Sequence, residues 1–230
     1  MEAMPVLIHS PSVGPSTWTP VAELLPRACV PDLRQAVAGG PPYPEQIAEA
    51  VRDQTPEGPL VLVAHSNAGL FVPIISQAVE VVACLFVDAH LPPAAGVAPV
   101  VQPAFLPFLR ELADADGLLP RWTDWWPEEQ VAPMFPDPVT RERVSAEQPR
   151  LPLAYFEQRV PVPPGWDGVP CAFLWYGPPY DTVAEEAARR GWPVTRLPGL
   201  HLHQLIDPES VAGHEFFTAH AGGEPEQSQT

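Results

Sequence analysis

The sequence contains no lysine, only three cysteines and no apolar run long enough to cross a bilayer. Its 12 basic residues face 28 acidic ones, which gives a formal net charge of −16. Without lysine, a phosphate-binding loop that grips through lysine and a mechanism through a lysine Schiff base are both excluded. Binding to nucleic acid or to anionic membranes relies on basic side chains, so we expect neither partner.

The cysteines Cys29, Cys84 and Cys171 each lie in or beside an apolar run. Their odd number and apolar surroundings predict reduced thiols in the core, without a disulfide framework. None of them has the spacing of a zinc ligand set. The first residues, Met-Glu-Ala-Met-Pro, lead almost directly into a predicted strand and show no signal peptide, so we expect a cytoplasmic protein.

Apolar runs of strand length alternate along the chain with helical patterns. The predicted strands are residues 5–9, 28–30, 60–65, 81–87, 171–176 and 194–197. The predicted helices include residues 18–25, 44–54, 185–190 and 208–219, the last with Asp207 as its N-cap. This alternation predicts an α/β protein with a mostly parallel sheet of about six strands, flanked by helices.

One long segment, residues 91–169, interrupts the alternation. It contains many prolines, several short helical patterns, of which residues 105–113 are the clearest, and no strong strand pattern. A segment of this length between two core strands is typical of a lid or functional insertion. We therefore predict a core from residues 1–90 and 170–220, a mainly helical lid from residues 91–169, and a disordered tail from residues 221–230.

The lid segment is rich in aromatic residues. Any single ring is most simply explained by packing of the lid on the sheet. Taken together, the rings predict that at least a few line an apolar substrate pocket. The candidates for this pocket are Phe105, Trp122, Trp125, Trp126 and Tyr155.

The stretch Leu-Val-Leu-Val-Ala-His-Ser-Asn-Ala-Gly, residues 60–69, predicts a strand, a tight turn and a helix with Ser66 at the turn. Such a turn crowds the backbone, and Ala64 and Ala68 supply the small side chains that it requires two positions before and after the serine. The turn lifts the Ser66 hydroxyl above the sheet edge. It also places the N–H of Asn67 at a helix N-terminus, where it can meet a developing oxyanion. Ser66 is therefore a candidate nucleophile.

A serine nucleophile needs a base, and the base needs an acid that orients it. His201 is the favoured base because it follows the last predicted strand at the edge where Ser66 also lies, and His203 is the alternative. Asp181, after the strand at residues 171–176, is the favoured acid, and Asp88, after the strand at residues 81–87, is the alternative. The chain order serine, aspartate, histidine fits either acid.

These residues resemble the α/β-hydrolase fold superfamily over roughly residues 5–220. The order of the Ser66 turn, the lid insertion, Asp181 and His201 carries the resemblance. Further matching positions are the strand end at His9, the helix start at Trp18, the run Val30-Pro31-Asp32-Leu33, and Pro198-Gly199-Leu200-His201 followed by Asp207-Pro208. The resemblance implies an oxyanion hole formed by the N–H of Asn67 and an N–H from the loop after the first strand.

The sequence departs from the family pattern at several places, and Asp181 is one residue later than the commonest spacing of the acid. The hairpin that usually precedes the His9 strand has no room here, and alanine replaces both glycines of the serine turn. Ser10 stands where a glycine normally follows His9. Pro11 occupies the usual donor position of the oxyanion hole and has no N–H. Ser12, or the shifted loop at residues 12–14, must then supply the second donor.

The resemblance implies a serine hydrolase that cleaves an ester, thioester or lactone of a small, largely apolar molecule, without a metal or organic cofactor. A lyase or cyclase of specialised metabolism is the alternative, because the loop at Pro11 suits a reaction without a tetrahedral oxyanion. A non-catalytic ligand receptor is a third hypothesis. The oligomeric state is left open by the sequence.

Overall fold

The computed structural model describes residues 2–38 and 40–221, so almost all of the predicted tail at residues 221–230 lies outside the described residues. The main sheet has five strands in the order β1-β2-β3-β6-β7, and all neighbouring pairs are parallel. The strands are β1 (Met4–Ile8), β2 (Leu60–His65), β3 (Val81–Val87), β4 (Gly96–Pro99), β5 (Arg159–Val162), β6 (Cys171–Trp175) and β7 (Val194–Arg196).

The centre of the sheet is covered on both faces, as its uninterrupted apolar strands require. All six residues of β2 are buried. Leu62 and Phe86 belong to one apolar cluster, which also contains residues of helices on that face, and Val61 and Leu85 belong to a second cluster on the other face. The parallel strands end together at one edge, where the predicted site residues are found.

Helices surround the sheet. They are α1 (Thr19–Ala22), α2 (Arg34–Ala38), α3 (Tyr43–Gln54), α4 (Val72–Ile75), α5 (Leu106–Leu112), α6 (Glu128–Val131), α7 (Pro138–Glu147), α8 (Leu153–Glu157), α9 (Asp181–Arg189), α10 (His203–Ile206), α11 (Pro208–Ala212) and α12 (Glu215–His220). Short 3-10 helices cover Pro15–Thr17, Ser66–Phe71, Pro103–Phe105, Trp122–Asp124 and Ala132–Met134. None of the described helices is long and apolar enough to cross a membrane.

The prediction of about six strands is corrected to five. Residues 28–30 form only an isolated parallel bridge between Cys29 and Val6, beside β1. Arg27, with a φ of 61°, and Pro31 bound this stretch and leave it too short for a regular strand. This bridge lies on the side of β1 opposite to β2.

The single helix predicted over residues 208–219 is also corrected, because Gly213 and His214 separate α11 from α12. Its predicted cap is present: the Asp207 side chain accepts a hydrogen bond from the N–H of Ser210 at 3.0 Å. The His214 side chain caps α12 in turn by accepting from the N–H of Phe216. Histidine is not among the residues that usually cap helix N-termini, so the sequence pattern did not reveal the start of a new helix after His214.

The segment at residues 91–169 contains helices α5 to α8, as predicted, but it also contains a two-stranded antiparallel sheet. Strands β4 and β5 pair from Gly96 with Val162 to Pro99 with Arg159. Glycine and proline are unfavourable in most strands, and Pro161 lies in the middle of β5. These residues explain why the sequence showed no strong strand pattern there.

The three cysteines are free thiols. Cys84 on β3 and Cys171 on β6 lie opposite each other in the parallel register and are buried. A hydrogen bond with Cys171, together with burial, raises the pKa of Cys84 well above its ordinary value. Both thiols therefore behave as core side chains.

Candidate active site

Ser66 follows β2 directly and has a φ of 58°, in the left-handed region that a serine rarely adopts. The chain then enters the 3-10 helix Ser66–Phe71. The small residues Ala64 and Ala68 are fully buried around this turn. A Cβ at Gly69 would collide with the backbone oxygen of His90, so the turn packs against the segment after β3 without space for a side chain. The surrounding sheet thus holds Ser66 in a strained conformation that presents its hydroxyl.

Ser66, His201 and Asp88 form a chain of hydrogen bonds. His201 Nε2 lies 2.9 Å from Ser66 Oγ, and His201 Nδ1 lies 2.6 Å from Asp88 Oδ2. With the proton on Nδ1, the imidazole donates to the carboxylate and its Nε2 is free to accept the serine proton. The Asp88 side chain is 1% exposed, and its second oxygen accepts from the backbone N–H of Tyr176 at 3.2 Å.

The sequence favoured Asp181 as the acid that orients His201, and this prediction is corrected: the structure places the alternative, Asp88, against His201. Asp88 follows β3, which lies next to the strand that carries Ser66, and its φ of 43° turns the chain sharply at the strand end. Asp181 follows β6, one strand further from Ser66, and is the first residue of α9, where it is partly exposed. Both aspartates leave the same sheet edge, and the order of the strands decides which one reaches His201.

Tyr180 is a site residue that sequence reasoning missed. Its ring stacks on His201 at a centroid distance of 5.2 Å and an interplanar angle of 5°. Burial raises the pKa of Tyr180, whereas contact of its hydroxyl with the Ser66 side chain acts in the opposite direction. Its position immediately before Asp181, in the loop after β6, is the one signal that could have pointed to it.

His65 and His203 lie close to the site but have other contacts. His65 Nε2 donates to the backbone oxygen of His201 at 2.8 Å, and their ring centroids are 4.6 Å apart. Burial lowers the pKa of His65 well below its ordinary value, so His65 is neutral and supports the His201 loop. The ring of His203, the alternative base, packs edge-on against Tyr176 at 5.3 Å, while His201 contacts Ser66.

Asn67, the predicted first oxyanion donor, is held by its side chain. Its Nδ2 donates to the backbone oxygen of Val100 at 2.8 Å, and its Oδ1 accepts from the hydroxyl of Tyr155 at 2.5 Å. Through these two hydrogen bonds, the Asn67 side chain is held by residues of the lid segment. Its backbone N–H belongs to the first turn of a helix, where an N–H has no intrahelical acceptor.

Ser12, the predicted second donor, is buried in the loop after β1, but its N–H points within that loop. The N–H of Ser12 donates to Ser10 Oγ at 3.3 Å, and the N–H of Val13 donates to the Ser10 backbone oxygen at 3.0 Å. His9 Nδ1 donates to the same backbone oxygen at 2.8 Å. Because Pro11 has no N–H, the backbone of this loop is largely engaged in closing its own turn.

Of the five aromatic residues proposed for the substrate pocket, Trp122 lies nearest to the catalytic candidates, 5.9 Å from the His201 ring. Tyr155 is fully buried and holds Asn67. Phe105 and Trp126 stack with Phe108 in a small aromatic group of the lid. Trp125 packs against Phe156 and donates to the Pro120 backbone oxygen. Four of the five thus pack the lid, which was the simpler explanation for single rings.

One cavity is lined by Ser66, and a larger one is lined by residues that follow β3. The first has a volume of about 10 Å³, and its walls are Ser10, Ser12, Val13, His65, Ser66, Trp122, His201 and Leu202. The second, of about 310 Å³, is bounded by Leu70, by residues of β4 and by His90 and Arg190, and its walls expose both polar and apolar groups. His90, in the wall of the larger cavity, lies 5.4 Å from the ring of Tyr180, which stacks on His201. Among the described residues, no group of three or more His, Cys, Asp or Glu side chains is arranged to hold a metal ion.

Comparisons with solved structures find the same fold in several proteins. The chain is similar to an extracellular alpha/beta-hydrolase from a Paenibacillus species, with 18% identity, a TM-score of 0.70, and coverage of 96% of this chain and 100% of that one. It is similar to a pyrethroid hydrolase from Sphingobium faniae JZ-2, with 19% identity, a TM-score of 0.67, and coverage of 96% and 98%. Polyneuridine aldehyde esterase shows 16% identity, a TM-score of 0.65, and coverage of 95% and 100%.

A search of curated protein sequences finds no match. A sequence profile of the alpha/beta hydrolase family matches residues 6–220, which is nearly the whole chain and includes every residue of the site. The chain therefore belongs to the alpha/beta hydrolase family and is an enzyme of that kind.

Proposed function

We propose that the protein is a serine hydrolase that cleaves an ester, thioester or lactone bond of a small, largely apolar molecule. The observation that carries this proposal is the chain of hydrogen bonds from Ser66 through His201 to Asp88. Solved structures of similar fold named as a hydrolase and an esterase support it as well.

In this mechanism, Ser66 Oγ attacks the acyl carbon while His201 Nε2 takes the serine proton. The carbonyl electron pair moves to the oxygen, which becomes an oxyanion near the N–H of Asn67. His201 then gives its proton to the leaving group, and an acyl-enzyme remains. A water molecule, deprotonated by His201, releases the acid and restores Ser66. Asp88 keeps the imidazole in the correct tautomer and stabilises its positive charge during both steps.

The size of the larger cavity supports a small-molecule substrate. The cavity of about 310 Å³ has the volume of a small-molecule site, and its walls combine apolar residues such as Leu70 and Val100 with the polar side chains of His90, Gln102 and Arg190. The cavity at Ser66 has room for little more than one water molecule. A substrate therefore displaces part of its wall, and Trp122 is the lid residue that forms that wall.

A lyase or cyclase that uses the same residues is the second candidate. The observation that favours it is the loop after β1, where Pro11 lacks an N–H and the N–H groups of Ser12 and Val13 are engaged within the turn. A reaction that forms no tetrahedral oxyanion does not need a second donor there. The expected cytoplasmic location stays a prediction, which cell fractionation tests.

The experiment begins with labelling by a fluorophosphonate probe, which reacts with activated serines. We expect the wild type to be labelled, and labelling to disappear in Ser66→Ala and in His201→Ala. His203→Ala is the matched control and should still be labelled, because its ring contacts Tyr176. A wild type that takes up no label would refute the nucleophile.

Turnover of short p-nitrophenyl esters and thioesters then distinguishes the two candidate reactions. A hydrolase releases acid and alcohol at a rate that depends on both Ser66 and His201. Labelling without any turnover of esters, thioesters or lactones would favour the lyase or cyclase. A receptor, in contrast, would bind its ligand equally well after Ser66→Ala.

A further inference from the structure

The oxyanion site of this protein has one backbone donor fewer than its family pattern requires. Pro11 replaces the residue that normally offers an N–H, and the next two N–H groups of the loop, from Ser12 and Val13, both donate to Ser10. Removal of one oxyanion donor reduces the rate of acyl transfer by about 10²–10³-fold. A hydrolase with this loop therefore needs a donor from elsewhere.

Ser10 brings a hydroxyl to the place where the family pattern has a glycine. Its oxygen accepts from the N–H of Ser12 at 3.3 Å, which fixes the side chain and leaves its own proton available. In the described part of the chain, the Ser10 hydroxyl donates to no other group. His9 holds the backbone of Ser10 in place and is itself anchored, since its Nε2 accepts from the N–H of Leu33 at 3.1 Å.

Ser10 lines the same small cavity as Ser66 and His201. This cavity of about 10 Å³ has room for about one oxygen atom. Ser10 is only 4% exposed, so its hydroxyl acts in a site from which bulk water is excluded.

We propose, on the basis of the proposed hydrolase function, that the Ser10 hydroxyl is the second oxyanion donor and replaces the N–H that Pro11 cannot supply. As Ser66 Oγ bonds to the acyl carbon, the carbonyl electron pair moves onto its oxygen. The Ser10 O–H and the Asn67 N–H donate hydrogen bonds to that oxygen, and neither gives up its proton. The bonds persist until the leaving group departs and the carbonyl is restored. The same pair of donors serves the attack of water on the acyl-enzyme.

The test compares Ser10→Ala with Ser76→Ala, a half-buried serine after α4 whose hydroxyl donates to the Pro73 backbone oxygen, away from the cavity at Ser66. With a p-nitrophenyl ester, we expect kcat of Ser10→Ala to fall by about 10²–10³-fold with little change in KM, because the lost bond forms mainly in the transition state. Ser76→Ala leaves the cavity at Ser66 and the Ser10 hydroxyl unchanged, and its kcat should stay close to that of the wild type.

Two further measurements separate this role from a structural one. Ser10→Cys fills nearly the same volume with a weak donor, so kcat should fall while the thermal unfolding temperature stays unchanged. A small trifluoromethyl ketone, which Ser66 converts to a hemiketal oxyanion, should bind Ser10→Ala more weakly by a similar factor. Tyr180→Phe tests the other hydroxyl at Ser66, and a loss in that variant alone would assign the donor to Tyr180 and overturn the proposal.

The outcomes also distinguish this proposal from the proposed function. If the wild type hydrolyses esters and Ser10→Ala does so equally well, Ser10 is not the donor, while the hydrolase function stands. If the wild type is neither labelled at Ser66 nor active on esters, both proposals fail. Selective loss of kcat and of trifluoromethyl ketone affinity in the Ser10 variants would establish the donor.

Discussion

The edge of the sheet and the lid segment over residues 91–169 position their side chains by different means. At the sheet edge, the backbone positions the side chains: Ser66 and Asp88 both have positive φ values at the ends of neighbouring buried strands. In the lid, short helices and a two-stranded sheet are joined by aromatic stacking and by partly exposed ion pairs such as Arg110–Glu157.

Because of this difference, we expect the sheet edge to be rigid and the lid to be the region that can move. Rearranging the sheet edge would break parallel strand pairing, whereas the lid touches the site through a few side chains. Hydrogen bonds join the regions near the site: Tyr155 donates to Asn67, Asn67 donates to the Val100 backbone oxygen, and Glu147 accepts from the backbone and side chain of Ser16. We expect chemistry to depend on the sheet edge, and access of the substrate to depend on the lid.

We expect the largest effect on activity from a substitution of Asp88, the aspartate at the sheet edge that contacts His201. We expect Asp88→Asn to reduce kcat by about 10³–10⁴-fold, because an amide no longer holds His201 in the tautomer that accepts the serine proton. Ester turnover and the rate of fluorophosphonate labelling measure this loss.

Asp181→Asn is the matched control for that prediction. It changes an aspartate that follows β6 at the same sheet edge and begins α9, and we expect its activity to stay within about twofold of the wild type. The reverse result, in which Asp181→Asn is inactive and Asp88→Asn is active, would contradict the hydrogen-bond geometry.

Acid should weaken the core through its buried histidines, all of which lie outside the lid segment. Burial lowers the pKa of His9 from 6.5 to about 4, so the unfolded chain binds a proton there before the folded protein does. Stability from this group is present above pH 6.5 and is lost as the pH falls towards 4, at about 1.4 kcal/mol per pH unit.

Urea unfolding of wild type and His9→Gln at several pH values tests this prediction. Glutamine can accept from Leu33 and donate to Ser10 but does not titrate, so the variant should lose stability less steeply between pH 6.5 and 4. Parallel curves for the two proteins would show that His9 does not contribute to acid unfolding.

The same difference between the regions explains how much could be predicted from sequence. The strand at residues 60–65, the turn at Ser66 and the base His201 follow from local patterns, and the structure brings these elements together. The choice between Asp88 and Asp181 depends on the strand order, which no local pattern contains. Tyr180 depends on the path of the same loop after β6.

In the lid, proline and glycine concealed β4 and β5, because short strands held by antiparallel pairing do not need a strong apolar alternation. The aromatic residues showed that the lid packs on apolar surface. Which ring faces the site depended on how the short helices dock, and only Trp122 lines the cavity at Ser66. Long-range packing therefore decides what local patterns leave open.

We expect a smaller effect, on stability, from a change at the hydrogen bond between Tyr155 of the lid and Asn67 of the core. Tyr155→Phe removes the hydroxyl that donates to Asn67 and leaves a buried amide oxygen without that donor. We expect a loss of about 1–3 kcal/mol in the free energy of unfolding. Tyr43→Phe is the control, because Tyr43 packs edge-on against Tyr155 and its hydroxyl makes no hydrogen bond within the described residues. Equal losses in both variants would mean that ring packing, and not the bond to Asn67, matters.

The smallest effect should come from an ion pair within the lid itself. Arg110 Nη2 on α5 lies 2.7 Å from Glu157 Oε1 on α8, and the two side chains are 55% and 41% exposed. Exposed pairs of this kind contribute about 0–1 kcal/mol, and salt screens them. Glu157→Gln should therefore change the unfolding free energy by less than about 1 kcal/mol at low salt and by nearly nothing at high salt. A double-mutant cycle with Arg110→Gln measures the coupling energy of the pair. A coupling energy that persists in high salt would mean that this ion pair stabilises the lid more than the exposure of its two side chains implies.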